Sequence, residues 1–285
     1  MLININGIIA EGDAKHFTHN NRSFLYGDGV FESLVVFDNE IPLIKFHSQR
    51  IAKSAEILEI KMPEPLQLKF IEKSITELCL ANQYTNARIR ITLFRKNGGY
   101  YIPSNHEAEF TIVAEPIDNN QFQFNETGLS IGVYSEILKP INILSSIKSC
   151  NALLYIKAGL YFNKLNWNDC VIINEKNNIC EGNSSSIFWV KNKKIYTPAL
   201  TTGCVDGVMR KFLLQQWDIN NFEWEEGNYL LEAIINADEV FISNATKGMQ
   251  WIKQVSFNDT TRTYSNEFTK ELFQLLTNDI LELKI

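Results

Sequence analysis

Between residues 116 and 128 the 285-residue chain loses its hydrophobic periodicity and gathers turn formers, starting at Pro116-Ile117-Asp118-Asn119-Asn120. This break constrains the fold more than any other feature. It predicts a smaller N-terminal lobe (1–117), a linker (118–128) and a larger C-terminal lobe (129–285), each long enough to bury a core. In the first lobe, Asn6-Gly7 reads as a hairpin turn, 30–37 as a strand, Asp38-Asn39-Glu40 as a turn and 41–44 as a returning strand. Helical spacing follows at 45–58, through Phe46, Ile51, Ala55 and Leu58, and again at 66–80, with strands at 87–94 and 109–114. In the second lobe the pattern predicts strands at 129–134, 170–174, 185–190, 194–197 and 239–243. Helices are expected at 150–165, from about Asp206, at 228–236 and at 266–283. Strands and helices mix without strict alternation, which favours two α+β lobes over a doubly wound sheet.

Composition narrows the function. The net charge is −6 and no run of Lys or Arg is long enough to suggest nucleic acid. Five cysteines, odd in number and without Cys-x-x-Cys spacing, argue against a disulfide framework or a structural zinc site. No apolar run approaches the ~18 residues needed to span a bilayer, and the first residues lack the basic-then-apolar pattern of a signal peptide. The expectation is a cytoplasmic protein that binds small molecules, with no metal, nucleic acid or membrane partner.

Three segments carry chemistry. Lys148 follows the apolar run Ile141-Asn142-Ile143-Leu144 and precedes a helical pattern, so its segment would deliver it toward an interior. Lys157 and Lys164 lie on the predicted helix and read as surface lysines. An interior amine is the better nucleophile. Glu181, placed at a turn between two predicted strands and followed by Gly182-Asn183-Ser184-Ser185, offers a carboxylate beside hydroxyl donors. Thr202-Gly203-Cys204-Val205-Asp206-Gly207-Val208-Met209-Arg210 runs from a glycine-bearing loop into a helix, whose first N–H groups make a seat for phosphate. Arg50 could add a guanidinium to that seat. Each feature taken alone also fits a solvated surface or an ordinary turn.

Together they resemble the fold-type IV pyridoxal 5'-phosphate (PLP) enzymes: D-amino-acid aminotransferase, branched-chain aminotransferase and aminodeoxychorismate lyase. The resemblance covers nearly the whole chain in order. Tyr26-Gly27-Asp28-Gly29-Val30-Phe31-Glu32 is similar to the family's N-terminal segment, and His47-x-x-Arg50 to its phosphate-binding arginine. Ile147-Lys148-Ser149-Cys150-Asn151 resembles the Schiff-base lysine segment, Glu181-Gly182-Asn183-Ser184-Ser185 the pyridine-nitrogen segment, and Gly207-Val208-Met209-Arg210 the phosphate helix. Residues 237–245 resemble the last phosphate-proximal strand, ending in Asn244-Ala245.

This resemblance implies a two-lobed α+β fold and a PLP cofactor bound by Arg50, Lys148, Glu181, Val205, Gly207, Val208, Met209, Asn244 and Ala245. It implies a homodimer that shares its active sites. Phe31, Ser184 and Ser185 would face substrate. Arg95 or Tyr100, on the polar loop after the 87–94 strand, could recognise a carboxylate or simply form a solvated hairpin tip.

Three positions depart from the usual pattern. Ser186 stands where the family commonly has Asn, Phe31 where D-amino-acid enzymes have Tyr, and Asn244-Ala245 where transaminases usually place a Thr. The leading expectation is amino transfer between an amino acid and a 2-oxo acid through Lys148. Phe31 and Asn244-Ala245 motivate aminodeoxychorismate lyase as the alternative. Ser186 and Ala245 motivate a non-catalytic PLP-binding relative.

Overall fold

The computed structural model describes residues 1–13, 15–62, 68–258 and 260–282. Two compact units emerge: Met1–Gln121 with Ile147–Asn151, and Phe122–Ser146 with residues 152–282.

The first unit opens with β1 (Leu2–Ile5) and β2 (Ile8–Glu11), paired around Asn6 and Gly7. Both turn residues take positive φ (51° and 90°), the conformation a two-residue hairpin needs. The short helix α1 (Arg22–Tyr26) is capped by the Asn21 side chain, which accepts from the Phe24 N–H, and β3 (Gly29–Val36) follows. No strand returns at 41–44. Phe37 and Glu40 close a small bridge, Leu43 adopts a left-handed backbone, and α2 (Ile44–Ile57) begins at once. The apolar Ile41 and Ile44 that suggested a strand pack against the core instead. Next come α3 (Leu68–Asn82), β4 (Ala87–Arg95) and β5 (Ala108–Pro116). The start expected for α3, at 66, lies outside the described residues.

These strands form an antiparallel sheet in the order β2-β1-β5-β4-β3. Its buried face meets α2 and α3, where Ile51, Ala55, Ile71, Ile75 and Leu78 pack with Leu34, Ile89, Ile91 and Ile112. At the free edge of β3, residues 147–151 add a short extended stretch. Val30 pairs with Ser149, Phe31 N–H donates to the Lys148 carbonyl, and Cys150 N–H to that of Gly29, both at 2.9 Å. This covers an edge that would otherwise present unpaired backbone groups.

The second unit contains β6 (Leu129–Lys139), α4 (Leu153–Lys164), β7 (Asp169–Asn174), β8 (Ile179–Gly182), β9 (Ser186–Lys191) and β10 (Lys194–Pro198). It continues through a 3₁₀ turn (Leu200–Thr202), α5 (Val208–Ile219), β11 (Trp224–Gly227), α6 (Glu232–Ile235), β12 (Glu239–Asn244), β13 (Gly248–Phe257), β14 (Thr260–Thr263) and α7 (Glu267–Glu282). The end expected for the last helix, at 283, lies outside the described residues. α4 starts three residues later than its pattern suggests, because Cys150 and Asn151 belong to the extended stretch.

The main sheet runs β11-β10-β9-β12-β13-β6-β7-β8, with β14 paired to β13. The β10–β11, β13–β6 and β6–β7 pairs are parallel. Glu181 lies not in a turn but within β8, all four of whose residues are buried. The strand is too short for its period to register in sequence, and Gly182 with the serine run masks its end. Among the described residues no helix is long and apolar enough to cross a membrane.

Candidate active site

In the first unit, strand parity decides which side chains meet. β3 buries Val30, Glu32 and Leu34 and turns Phe31 and Ser33 to the opposite, partly open face. On the added stretch, Ile147 is buried in the core with Val30, so Lys148, next in line, takes the open face. Its Nζ lies 4.7 Å from the Phe31 ring centroid. Arg90, exposed on β4, holds its Cζ 3.9 Å from the same centroid.

Glu32 faces the apolar side of β3, where a carboxylate requires a counter-charge. α2 supplies it. Arg50 donates through Nε to Oε1 at 2.8 Å and through Nη2 to Oε2 at 2.5 Å, and His47 Nδ1 donates to Oε2 at 2.6 Å. Burial pushes the Glu32 carboxyl up, but the Arg50 charge and the hydrogen bonds from Arg50 and His47 outweigh it and hold the group at about 2. Desolvation lowers His47, so its imidazole is neutral at pH 7. Its Nε2 is buried without a hydrogen-bond partner among the described residues. Arg50, expected at a phosphate, is thus oriented by Glu32.

Arg95 stands elsewhere. Only 5% exposed, it donates through Nε to Asp28 at 2.9 Å, through Nη2 to the Leu58 carbonyl at 2.6 Å and through Nη1 to the Glu59 carbonyl at 3.0 Å. Arg22 shares the same Asp28 oxygen at 2.8 Å, and its Nη1 gathers the carbonyls of Gly98, Gly99 and Tyr100. The guanidinium considered for a substrate carboxylate is committed to holding the loop, because it lies on the buried side at the end of β4. The Tyr100 side chain projects outward, 83% exposed.

In the second unit, β8 buries Glu181 beside Lys139, from the end of β6, and Tyr155, from α4. Lys139 Nζ and Tyr155 OH both donate to Glu181 Oε1, at 2.5 and 2.7 Å, and Lys139 also donates to the Tyr155 oxygen. The Val205 backbone N–H donates to Oε2 at 2.9 Å. Burial and the adjoining Glu181 charge push the Tyr155 phenol far up, so it remains a donor.

Gly207 is the N-cap of α5 and offers no side chain to its N–H groups, while Val208 and Met209, in the first turn, are buried. A Cβ at position 207 would stand 2.5 Å from Ser186 Oγ, so glycine permits this close approach to β9. Asn244 ends β12, and its Oδ1 accepts from the N–H groups of Thr246 and Lys247, while its Nδ2 donates to the Ser184 carbonyl at 3.3 Å. Ala245 sits half-buried in the same turn. Ser184 is exposed, whereas Ser185 turns its hydroxyl to the buried Asp169, which burial pushes up.

The structure therefore joins Lys148 with Phe31, Glu181 with Val205, Gly207 with Ser186, and Asn244 with Ser184. It adds four residues that the sequence did not single out: Glu32, Arg90, Lys139 and Tyr155. Glu32 closes the Tyr26–Glu32 run and could have been suspected. The partners of Glu181 lie 42 and 26 residues away in sequence, with no spacing that announces them.

The family model for amino-transferase class IV matches residues 29–255. Aminodeoxychorismate lyase of Vibrio harveyi is 26% identical over 243 residues, covering 85% of this chain and 88% of the relative. A putative branched-chain-amino-acid aminotransferase of Methanocaldococcus jannaschii is 26% identical over 274 residues, covering 95% and 94%. The solved branched-chain aminotransferase of Thermoproteus uzoniensis with norvaline superposes with a TM-score of 0.87 at 20% identity, covering 99% of this chain and 95% of that one. The fold is that of the fold-type IV aminotransferases. The chain belongs to the class IV aminotransferase family.

Proposed function

We propose that the protein is a PLP-dependent aminotransferase that moves an amino group between an amino acid and a 2-oxo acid. The observation that carries this reading is the pairing of residues 147–151 with β3. Burying Ile147 fixes Lys148 on the open sheet face against Phe31.

The donor set suits the cofactor. Glu181, with three donors on its carboxylate, is a buried anion able to accept from a protonated ring nitrogen. The uncapped start of α5, at Gly207, Val208 and Met209, suits a phosphate, as does the Glu32-oriented Arg50. Val205 would line one ring face, and Asn244 and Ala245 would complete the phosphate end. When bound, PLP supplies a conjugated ring that accepts the electron pair left by breaking a bond at the substrate Cα. Lys148 Nζ would anchor the cofactor and carry the proton to and from that carbon. Ser184, Ser185 and Phe31 would border the substrate.

Borohydride treatment of the PLP-loaded protein should trap an adduct that peptide mass mapping places on Lys148, and Lys148→Ala should lose both adduct and amino transfer. A wild-type protein that traps nothing at Lys148 would overturn the reading.

Phe31 and the Asn244-Ala245 turn favour a second reading, elimination of pyruvate from aminodeoxychorismate. Supplying that substrate and measuring pyruvate distinguishes the two, and absence of pyruvate removes the lyase.

We also propose a homodimer. Phe24, Leu25, Tyr26, Tyr100, Tyr101 and Ile102 are all exposed on the first unit, and α4 exposes Leu153, Ile156 and Leu160 at helical spacing. A second copy would bury both apolar surfaces. A cytoplasmic location suits the five free thiols.

A further inference from the structure

We propose that Asn97 is a site of spontaneous deamidation, and that its conversion to aspartate or isoaspartate releases the loop between β4 and β5. The step needs only water, so it stands apart from the PLP-dependent reading.

The chain holds two Asn-Gly pairs, Asn6-Gly7 and Asn97-Gly98. In such a pair the glycine nitrogen can attack the asparagine Cγ, because no Cβ shields it. Their surroundings separate the two. At the β1–β2 hairpin the attacking nitrogen is engaged, since Gly7 N–H donates to Asn4 Oδ1 at 2.9 Å. The Asn6 side chain is held as well, its Oδ1 accepting from Phe110 N–H at 2.8 Å. Asn97, by contrast, is exposed, and among the described residues Gly98 N–H donates to no acceptor. Gly98 also holds φ at 129°, a backbone that glycine adopts readily and other residues do not. Arg22 Nη1 gathers the carbonyls of Gly98, Gly99 and Tyr100, so its restraint begins one peptide after the Asn97–Gly98 unit.

Attack by Gly98 N on Asn97 Cγ forms a C–N bond and closes a succinimide ring. The nitrogen gives its proton to solvent base, and the side-chain Nδ2 leaves as ammonia. Water then opens the ring at either carbonyl. One opening leaves aspartate in the original backbone, and the other routes the chain through the side-chain carbon as isoaspartate. No oxidant or reductant enters. The product changes a contact: Asn97 Nδ2 donates to Thr18 Oγ1 and Asn20 Oδ1, each at 3.2 Å. These bonds tie the loop to the segment before α1. A carboxylate at 97 has no donor for either oxygen, and Thr18 already directs its hydroxyl proton to Asn20 Oδ1. Tyr100 and Tyr101, at the exposed tip, lie just beyond the broken tie.

The test incubates the full-length protein at mildly alkaline pH, folded or in urea, and follows each site by tandem mass spectrometry. In the folded protein Asn97 should gain one dalton about thirtyfold faster than Asn6, the factor set by two hydrogen bonds that must open at Asn6. In urea the two rates should converge. Equal rates in the folded protein, or a faster Asn6, would overturn the assignment. A gap that survives in urea would overturn its structural cause. Asn97→Gln should keep its mass, because the longer side chain closes a ring far more slowly, and wild-type conversion at position 97 in that variant would also overturn the assignment. Chymotryptic cutting after Tyr100 and Tyr101 should be about tenfold faster in Asn97→Asp than in wild type, because cleavage follows the open population. Cutting at the wild-type rate would overturn the release of the loop.

Discussion

Arg95 and Arg90 lie five residues apart on β4, yet they inhabit different chemical worlds. An odd separation on a strand sends two side chains to opposite faces. Arg95 goes inward, where a cation survives only when paired, and Asp28 with two backbone carbonyls satisfies it. Arg90 goes to the open face, where it is exposed and its guanidinium lies against the Phe31 ring. The glycine-bearing loop made Arg95, or Tyr100, a candidate for a substrate carboxylate alongside the reading of a solvated hairpin tip. Parity buries Arg95 against Asp28 and leaves Arg90 on the open face.

The comparison can be broken most forcefully at its closed end. Arg95→Met strips Asp28 of one cation and leaves the Leu58 and Glu59 carbonyls without their donor. We expect a loss of about 3 kcal/mol, the cost of breaking a buried ion pair. In a thermal melt this should lower Tm by about 10 °C. A melt within about 2 °C of wild type would mean that the Arg95 network is not structural.

Glu32→Gln tests whether the other inward cation behaves alike, with an expected loss of about 2 kcal/mol at pH 7 from leaving Arg50 without its counter-charge. Its pH signature is specific. Glu32 is held at about 2, below its ordinary 4.5, so its stabilisation is full above about 4.5 and is lost as pH falls through about 2. The gap in denaturant midpoint between wild type and Glu32→Gln should therefore close as pH falls from 4.5. A gap independent of pH would contradict the ion pair.

The smallest effect belongs to the open end. Arg90→Gln should shift stability by no more than about 0.5 kcal/mol, as at other surface positions. A large drop in chemical-denaturation stability would instead make Arg90 a structural residue like Arg95.

Much of this was readable from the chain. The hairpin at Asn6-Gly7, the α2 and α3 helices and most strands follow from local periods and turn residues, which act over a few positions. Lys148, Glu181 and Arg50 were legible as chemical types in a family order. The failures share a cause. The 41–44 segment was apolar enough for a strand, but the left-handed Leu43 started α2 instead. β8 was hidden because four residues are too few to show a period, and β11, β13 and β14 were not anticipated at all. Cys150 was read into a helix because nothing local says that it pairs with Gly29 at the start of β3, far earlier in the chain.

By itself the sequence determined the kind of chemistry available: an amine, a carboxylate, an arginine and a glycine-started helix, in an order that matches class IV aminotransferases. These are properties of residue type and local spacing. Tertiary structure alone decided which charges are paired and which are open. Lys139 and Tyr155 reach Glu181 across 42 and 26 residues, Arg50 reaches Glu32 across 18, and Arg90 meets Phe31 only because two strands align in one register. Burial and register set the electrostatic environment of each group, and both arise from contacts between segments that no local pattern encodes.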